Sequence, residues 1–141
     1  MKLVVNTNRI IAALIKNSSS REIILHGKAE LLSITITEKE IMKYKQMILK
    51  KTNITEEQFN DVYEKLKEKI TFLPDSVINK KMEEAKKVMD AIDKDDTPFI
   101  AAALATDAAV WSDDNHFQKQ RRVKIWKTKD IAPDINEQEK A

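Results

Sequence analysis

Residues 93–117 read DKDDTPFIAAALATDAAVWSDDNHF: an acid cluster, an Ala-rich apolar stretch, a short apolar run and a second acid pair. Carboxylates gathered from different elements repel one another unless a cation or protons intervene. An oxygen-only set of this kind suits hard divalent ions such as Mg²⁺ or Mn²⁺. The candidate ligands are one of Asp93, Asp95 and Asp96, one of Asp113 and Asp114, and Glu38 or Glu40 from ITEKEIMKYK. Near the amino terminus, LVVNTN closes an apolar run on Asn6, where such a site wants a further ligand. Taken singly, each has an ordinary reading. Asp95 or Asp96 before Thr97-Pro98 is a helix cap, and Asp113-Asp114-Asn115 is a solvated turn. Their convergence on one edge of a sheet is what points to metal chemistry.

The elements that must position these residues follow from periodicity. Leu3–Val5 is a short buried strand. Thr7 or Asn8 caps a helix burying Ile10, Ile11, Leu14 and Ile15, which SSS ends. Ser20 caps a short helix carrying Ile23, Ile24 and Leu25. Leu31–Ile34 is a second strand, and Thr35 or Thr37 starts a helix with Ile41, Tyr44 and Ile48 on one face. Thr55 and Gln58 have capping-box spacing, before a helix placing Phe59, Val62, Tyr63, Leu66 and Ile70 at helical intervals. Thr71–Leu73 is a strand stopped by Pro74. Asp75 or Ser76 caps the next helix, with Ala85, Val88, Met89 and Ile92 inside. Pro98 suits the first turn of the Ala101–Ala105 helix. Ala109–Trp111 and Val123–Trp126 are two further strands. Strands alternating with helices imply a three-layer α/β/α fold around a mainly parallel sheet of four to five strands. Sites in such sheets collect beyond the carboxyl ends of the strands, where Asn6 and Asp113-Asp114 fall.

At 141 residues the chain is expected to form one domain over residues 1–132, with a polar, flexible tail, PDINEQEKA, over 133–141. There is no cysteine, which excludes thiolate ligands and cysteine nucleophiles. The single glycine excludes a phosphate-cradling Walker loop and a dinucleotide fingerprint. A net charge of +2 does not by itself argue for nucleic acid. MKLVVNTN turns polar after three apolar residues, so it reads as neither signal peptide nor membrane span, and a cytoplasmic protein is expected.

Four segments in order resemble the PIN-domain nucleases, a family of small metal-dependent enzymes that includes the VapC-like toxin ribonucleases. Asn6-Thr7-Asn8 stands where the family closes its first strand with Asp-Thr-Asn or Asp-Thr-Ser. Glu40 matches the Glu early in the helix after the second strand. Asp96 matches the acid before an Ala-rich helix, and Ser112-Asp113-Asp114 matches a Thr/Ser-x-Asp pattern that assigns the fourth role to Asp114. The likeness runs from Lys2 to about Ile131. It implies hydrolysis of RNA phosphodiesters by water activated at one or two Mg²⁺ or Mn²⁺ ions. Asp96, Asp114 and Glu40, with Asn6, are the implied metal ligands and catalytic residues, and Thr7 and Ser112 are hydroxyls that orient the carboxylates.

Two positions depart from the family pattern. Asn6 replaces the first Asp, so the formal charge of the site falls from about −4 to about −3 and metal binding weakens. A natural loss of activity, a substitution introduced to silence a toxic enzyme, and slow residual turnover all fit that change. His116 stands where many relatives carry another acid, and it reads as a surface or packing residue.

From Asn115 to Lys129 there is no acid, while Lys119, Arg121 and Arg122 lead a run of six cations. Lys119, Arg121 and Arg122 are therefore candidate contacts to RNA phosphates. Trp111 and Trp126 read as core residues, and Arg21 as half of a helix-surface ion pair. The resemblance and the Met- and Tyr-bearing helices IMKYKQMILKK and FNDVYEKLKEKI suggest a homodimer, and a protein antitoxin is a further possible partner. The rival class is a nuclease fold that has lost catalysis and only binds RNA or protein. A receiver-type signalling domain fits poorly, because LVVNTN and TFLPDS do not supply its acids.

Overall fold

The computed structural model describes residues 1–131; the expected tail at 133–141 lies outside them. Five strands pair in parallel in the order β3-β2-β1-β4-β5: β1 Lys2–Val5, β2 Glu30–Ile34, β3 Ile70–Leu73, β4 Ala109–Trp111 and β5 Ile125–Trp126. The chain first winds outward from β1 to β3, then returns to pair β4 on the other side of β1. Val5 lies opposite Trp111 in that register. The reversal of strand order between β1 and β4 opens a crevice at their carboxyl ends.

Alternation along the strands divides the core into two layers. Leu3, Val5, Leu31 and Trp111 pack under α1 (Thr7–Ile15), α2 (Ser19–His26), α3 (Thr35–Thr52) and α4 (Glu56–Glu68). Val4, Leu32, Ile34 and Val110 face α5 (Asp75–Asn79), α6 (Met82–Met89) and α7 (Thr97–Thr106). The α7 helix is apolar on nearly every side and buried, as such a helix must be. Its alanines let it sit close to the sheet, and Pro98 stands in its first turn.

Several expected details differ. Asn6, not Thr7 or Asn8, caps α1, its side chain accepting the Asn8 N–H at 3.3 Å. The turn from β1 into α1 is so short that the strand's last polar residue becomes the cap. Ile15 falls at the exposed end of α1. Ser18 rather than Ser20 caps α2, while Ser20 is buried and receives Nη1 of Arg9. Neither Thr35 nor Thr37 caps α3, which follows Ile34 directly. Tyr44 turns to solvent and Lys45 goes inward, because Glu56 and Asn60 of α4 meet its ammonium at 2.8 and 3.3 Å. The capping box of Thr55 and Gln58 is present. Ile70 leaves the helix to begin β3, pairing with Leu31. Pro74 occupies the cap position of α5, so neither Asp75 nor Ser76 does, and Asp75 instead accepts the Thr35 hydroxyl at 2.7 Å. The single helix expected there breaks at residues 80–81 into α5 and α6, and β5 spans only its last two expected residues.

Phe59 is fully buried where α4 meets the first layer. Phe59→Ala is expected to cost about 3–5 kcal/mol, and Thr55→Ala about 1 kcal/mol, in urea unfolding at neutral pH. Equal costs would show that α4 is held by its cap rather than by its buried face.

Candidate metal centre

The site grows from the paired ends of β1 and β4. The Asn6 N–H donates to the Trp111 carbonyl at 3.1 Å, so the chain leaves both strands side by side. Asn6, Asn8, Arg9, Ser112, Asp113 and Asp114 line the cleft beyond them. Buried Ser112 accepts the Asp114 N–H at 3.0 Å on its hydroxyl and fixes the turn that follows β4.

The two members of the acid pair have different tasks. Asp113 accepts the Thr128 N–H and hydroxyl, both at 2.8 Å, and pairs with Arg9 at 2.8 Å. It ties the segment after β5 to α1. Asp114 turns the other way, accepting the His116 N–H at 2.9 Å and facing the remaining acids. Of the pair, it is Asp114 that stands with the other acids, its charge felt by Asp96.

Those acids come from the segment joining α6 to α7. Asp93 takes the Asp95 N–H on Oδ1 at 2.9 Å, which starts a 3-10 turn over Lys94–Asp96. The turn carries Asp96 to the amino end of α7, where only 8% of the residue is exposed. Its Oδ2 has no hydrogen-bond partner among the described residues. Burial, then the charges of Asp93 and Asp114, push the Asp96 carboxyl up to about 6, with His116 opposing them. A cation would relieve this: a buried, unpartnered carboxylate oxygen beside two further acids fits a divalent metal.

Glu40 approaches from α3. Burial first, and then Asp95, raise its pKa, opposed by Lys43 and by a hydrogen bond from Thr7. Thr37 lies 3.0 Å from the Thr7 hydroxyl and 3.2 Å from that of Ser33. If Thr7 donates to Glu40, Thr37 must donate to Thr7, so the hydroxyls form a directed chain. Glu38 is felt instead by Tyr63 on α4, which favours Glu40 for the site. Glu40 shares a groove with Lys43, Tyr44 and Asp95. Its charge couples to Asp95, whereas Asp96 feels Asp93 and Asp114 first.

Other expected residues lie elsewhere. Arg122 sits by the amino ends of β4 and β5, away from the acids, where it donates to Glu84 at 3.0 Å. Arg121 and Lys119 are exposed, with Lys119 ending the 3-10 turn over Asn115–Lys119. Arg21 makes no ion pair among the described residues; its guanidinium donates to the Ala13 and Leu14 carbonyls at 2.7 and 3.4 Å and closes α1. Trp111 is buried, its indole N–H on the Thr128 hydroxyl, and Trp126 is half-buried. His116 is a partly exposed surface residue, as one expected reading has it, but its Nδ1 faces Asp93, Asp96 and Asp114. The sequence hint was its place two residues after Asp114. Arg9 carried no hint, since its partner Asp113 is more than a hundred residues distant.

The raised Asp96 pKa has a consequence for stability. The unfolded chain releases this proton near the usual carboxylate value, the folded chain only near 6. Stability therefore falls as pH rises between those values and stays lowered above them. Asp96→Asn should leave stability unchanged near pH 3 and raise it above pH 7, by on the order of 2 kcal/mol. Urea unfolding of both proteins at the two pH values measures this, and a variant no more stable at pH 7.5 would contradict the strain.

A family model described as PIN domain matches residues 4–136. Among solved structures, VapBC2 from Rickettsia felis bound to a DNA fragment from its promoter is similar in fold, with a TM-score of 0.67. The match is 15% identical and covers 90% of this chain and 98% of that one. No curated protein matches the chain in sequence. No described helix is long and apolar enough to cross a membrane. The order of the acids along the chain, the parallel sheet that gathers them and the match over nearly the whole length agree: this chain belongs to the PIN-domain family.

Proposed function

We propose that this protein is a metal-dependent endoribonuclease whose ion is held by Asp96 and Asp114, with Glu40 and Asn6 completing the site. The observation that carries the reading is the buried Asp96 carboxylate, unpartnered at Oδ2 and pushed up to about 6 beside two other acids. When bound, Mg²⁺ or Mn²⁺ supplies Lewis acidity toward water and phosphate. The chain's own groups do the rest. Thr7 holds Glu40 so that its carboxylate accepts a hydrogen bond from the attacking water and aims it at phosphorus. Water adds, the P–O bond to the leaving ribose oxygen breaks, and that oxygen gains a proton. Ser112 fixes the turn that presents Asp114. Exposed Lys119 and Arg121 can meet RNA phosphates; Arg122, engaged by Glu84, is the weaker candidate.

Partners follow the same reading. A protein antitoxin is proposed because the structural neighbour is a VapBC complex. A homodimer is proposed on α3, whose exposed Ile36, Tyr44 and Met47 share the helix face that carries Glu40. The protein is proposed to act in the cytoplasm.

A second reading has its own support. Asn6 lacks the charge of an acid, and its side-chain oxygen is already engaged in capping α1. A site blunted in this way suits a module that binds RNA or protein without cleaving it.

Mn²⁺ and Mg²⁺ calorimetry on this chain and on Asn6→Asp, with cleavage of a single-stranded RNA followed in parallel, separates the two. The nuclease reading expects metal affinity and cleavage to rise at least about tenfold on restoring the acid, the loss commonly seen when even a group supporting a ligand is removed. It also expects Asp96→Asn to abolish both. Metal bound by neither form would leave the binding module.

A further inference from the structure

The nuclease reading leaves two members of the cluster without a task, Asp93 and His116. Nδ1 of His116 stands 3.2 Å from Oδ2 of Asp93, 3.7 Å from Oδ2 of Asp96 and 3.3 Å from Oδ1 of Asp114. One ligand atom from each of Asp93, Asp96 and His116 lies within 4.8 Å of the other two. Neighbouring ligands of an octahedral ion at about 2.1 Å are roughly 3 Å apart, and opposite ones about 4.2 Å. The two distances from Nδ1 to Asp93 and Asp96, 3.2 and 3.7 Å, fall between these limits.

Acids and a histidine in proximity do not alone make a site. The independent observation is that Oδ2 of Asp96, in a residue 8% exposed, is buried and unpartnered, and so is Nδ1 of His116. An imidazolium acting only as counter-ion would direct its Nδ1 proton along a hydrogen bond to one carboxylate. Here the nitrogen lies 3.2, 3.7 and 3.3 Å from oxygens of three aspartates and is hydrogen-bonded to none among the described residues, so its lone pair is left for an ion shared with them. The backbone that carries the ring is fixed: Asp114 takes the His116 backbone N–H, and the next residue, Phe117, is anchored in the core. Asp93 spends Oδ1 on the Asp95 N–H and keeps Oδ2 for the cluster.

We infer that His116 is a metal ligand, acting with Asp93 and Asp96, and that its imidazole makes the site select a first-row transition ion, Mn²⁺ above Mg²⁺. The inference rests on the metal-dependent reading and adds to it a ligand set and an ion preference. Mg²⁺ takes oxygen donors and gives up its waters reluctantly, whereas imidazole suits transition ions. An imidazole rather than an acid at position 116 and an amide at position 6 both lower the negative charge on which Mg²⁺ depends. The nitrogen compensates only for an ion that accepts it well.

The test uses the full chain with Mn²⁺ or Mg²⁺ alone, without RNA. Electron spin echo spectra of the Mn²⁺-loaded protein should show nitrogen modulation from the imidazole, and His116→Gln should lose it. Calorimetry should show Mn²⁺ binding at least about tenfold tighter than Mg²⁺, the preference shrinking in His116→Gln by a similar factor. His116→Asp should bring Mg²⁺ affinity up toward that of Mn²⁺. If either variant fails to fold, the wild-type nitrogen signal still decides. Mn²⁺ bound without nitrogen modulation overturns the role of His116 and leaves the nuclease reading standing. Neither ion bound overturns both.

Discussion

The pairing of β1 with β4 is the constraint on which the rest depends. Two strands more than a hundred residues apart in sequence end level with each other, Val5 opposite Trp111, and the Asn6 N–H closes the ladder on the Trp111 carbonyl at 3.1 Å. Because strand order reverses there, no crossover helix fills the space beyond the two ends. The residues that follow must therefore face one another. Asp113 locks the arrangement through Arg9 on one side and Thr128 on the other. Asp114 is thereby aimed at the α6–α7 segment. A slip of one residue in β4 would exchange the core layers into which Val110 and Trp111 point, and with them the directions of the two aspartates.

That geometry concentrates like charge where the chain can least screen it. Asp96 stands at the amino end of α7, and the helix dipole there favours a carboxylate by about 0.3–1 kcal/mol. Burial and the neighbouring acids act against ionisation, and they win. A pKa near 6 corresponds to on the order of 2 kcal/mol in the other direction. The fold tolerates the imbalance because α7 is fixed by its apolar residues: Phe99, Ile100 and Ala101–Ala103 are all buried. The helix does not need Asp96 as a cap, and Asp96 makes no capping hydrogen bond. Its oxygen is left for another use.

Much of this was legible in the sequence. Short β-branched strands, the Thr55–Gln58 box and Pro98 before an alanine run fix most elements, and their alternation fixes a parallel sheet. Asp96, Asp114, Thr7 and Ser112 could be placed because each sits at the end of an element, where sequence position determines location. The failures share a cause. Tyr44 and Lys45 are adjacent on α3, and local pattern favours the aromatic as the buried one. The inward lysine is explained only by Glu56 and Asn60 on another helix. Arg122 belongs to a basic run, yet its partner Glu84 lies on α6. His116 follows an acid pair in a turn, and nothing local shows that Asp93 and Asp96 arrive from the other side.

The two departures from an all-acid site act together. Replacing one carboxylate by an amide and another by an imidazole removes two negative charges from a cluster that already repels itself. The cost falls on the affinity for ions held by charge. Asn6 also serves the fold directly, as the cap of α1. An aspartate would cap as well and would carry its charge into the cleft lined by Asp113 and Asp114. What distinguishes the two residues here is therefore electrostatic rather than architectural. His116 differs in kind, because imidazole trades a charge for a nitrogen donor while keeping a ligand atom in the shell. A chain with Asn6 alone would be a weaker version of an acidic site. With His116 facing the same carboxylates, an imidazole nitrogen stands among the oxygens, and the inferred donor set relies less on charge.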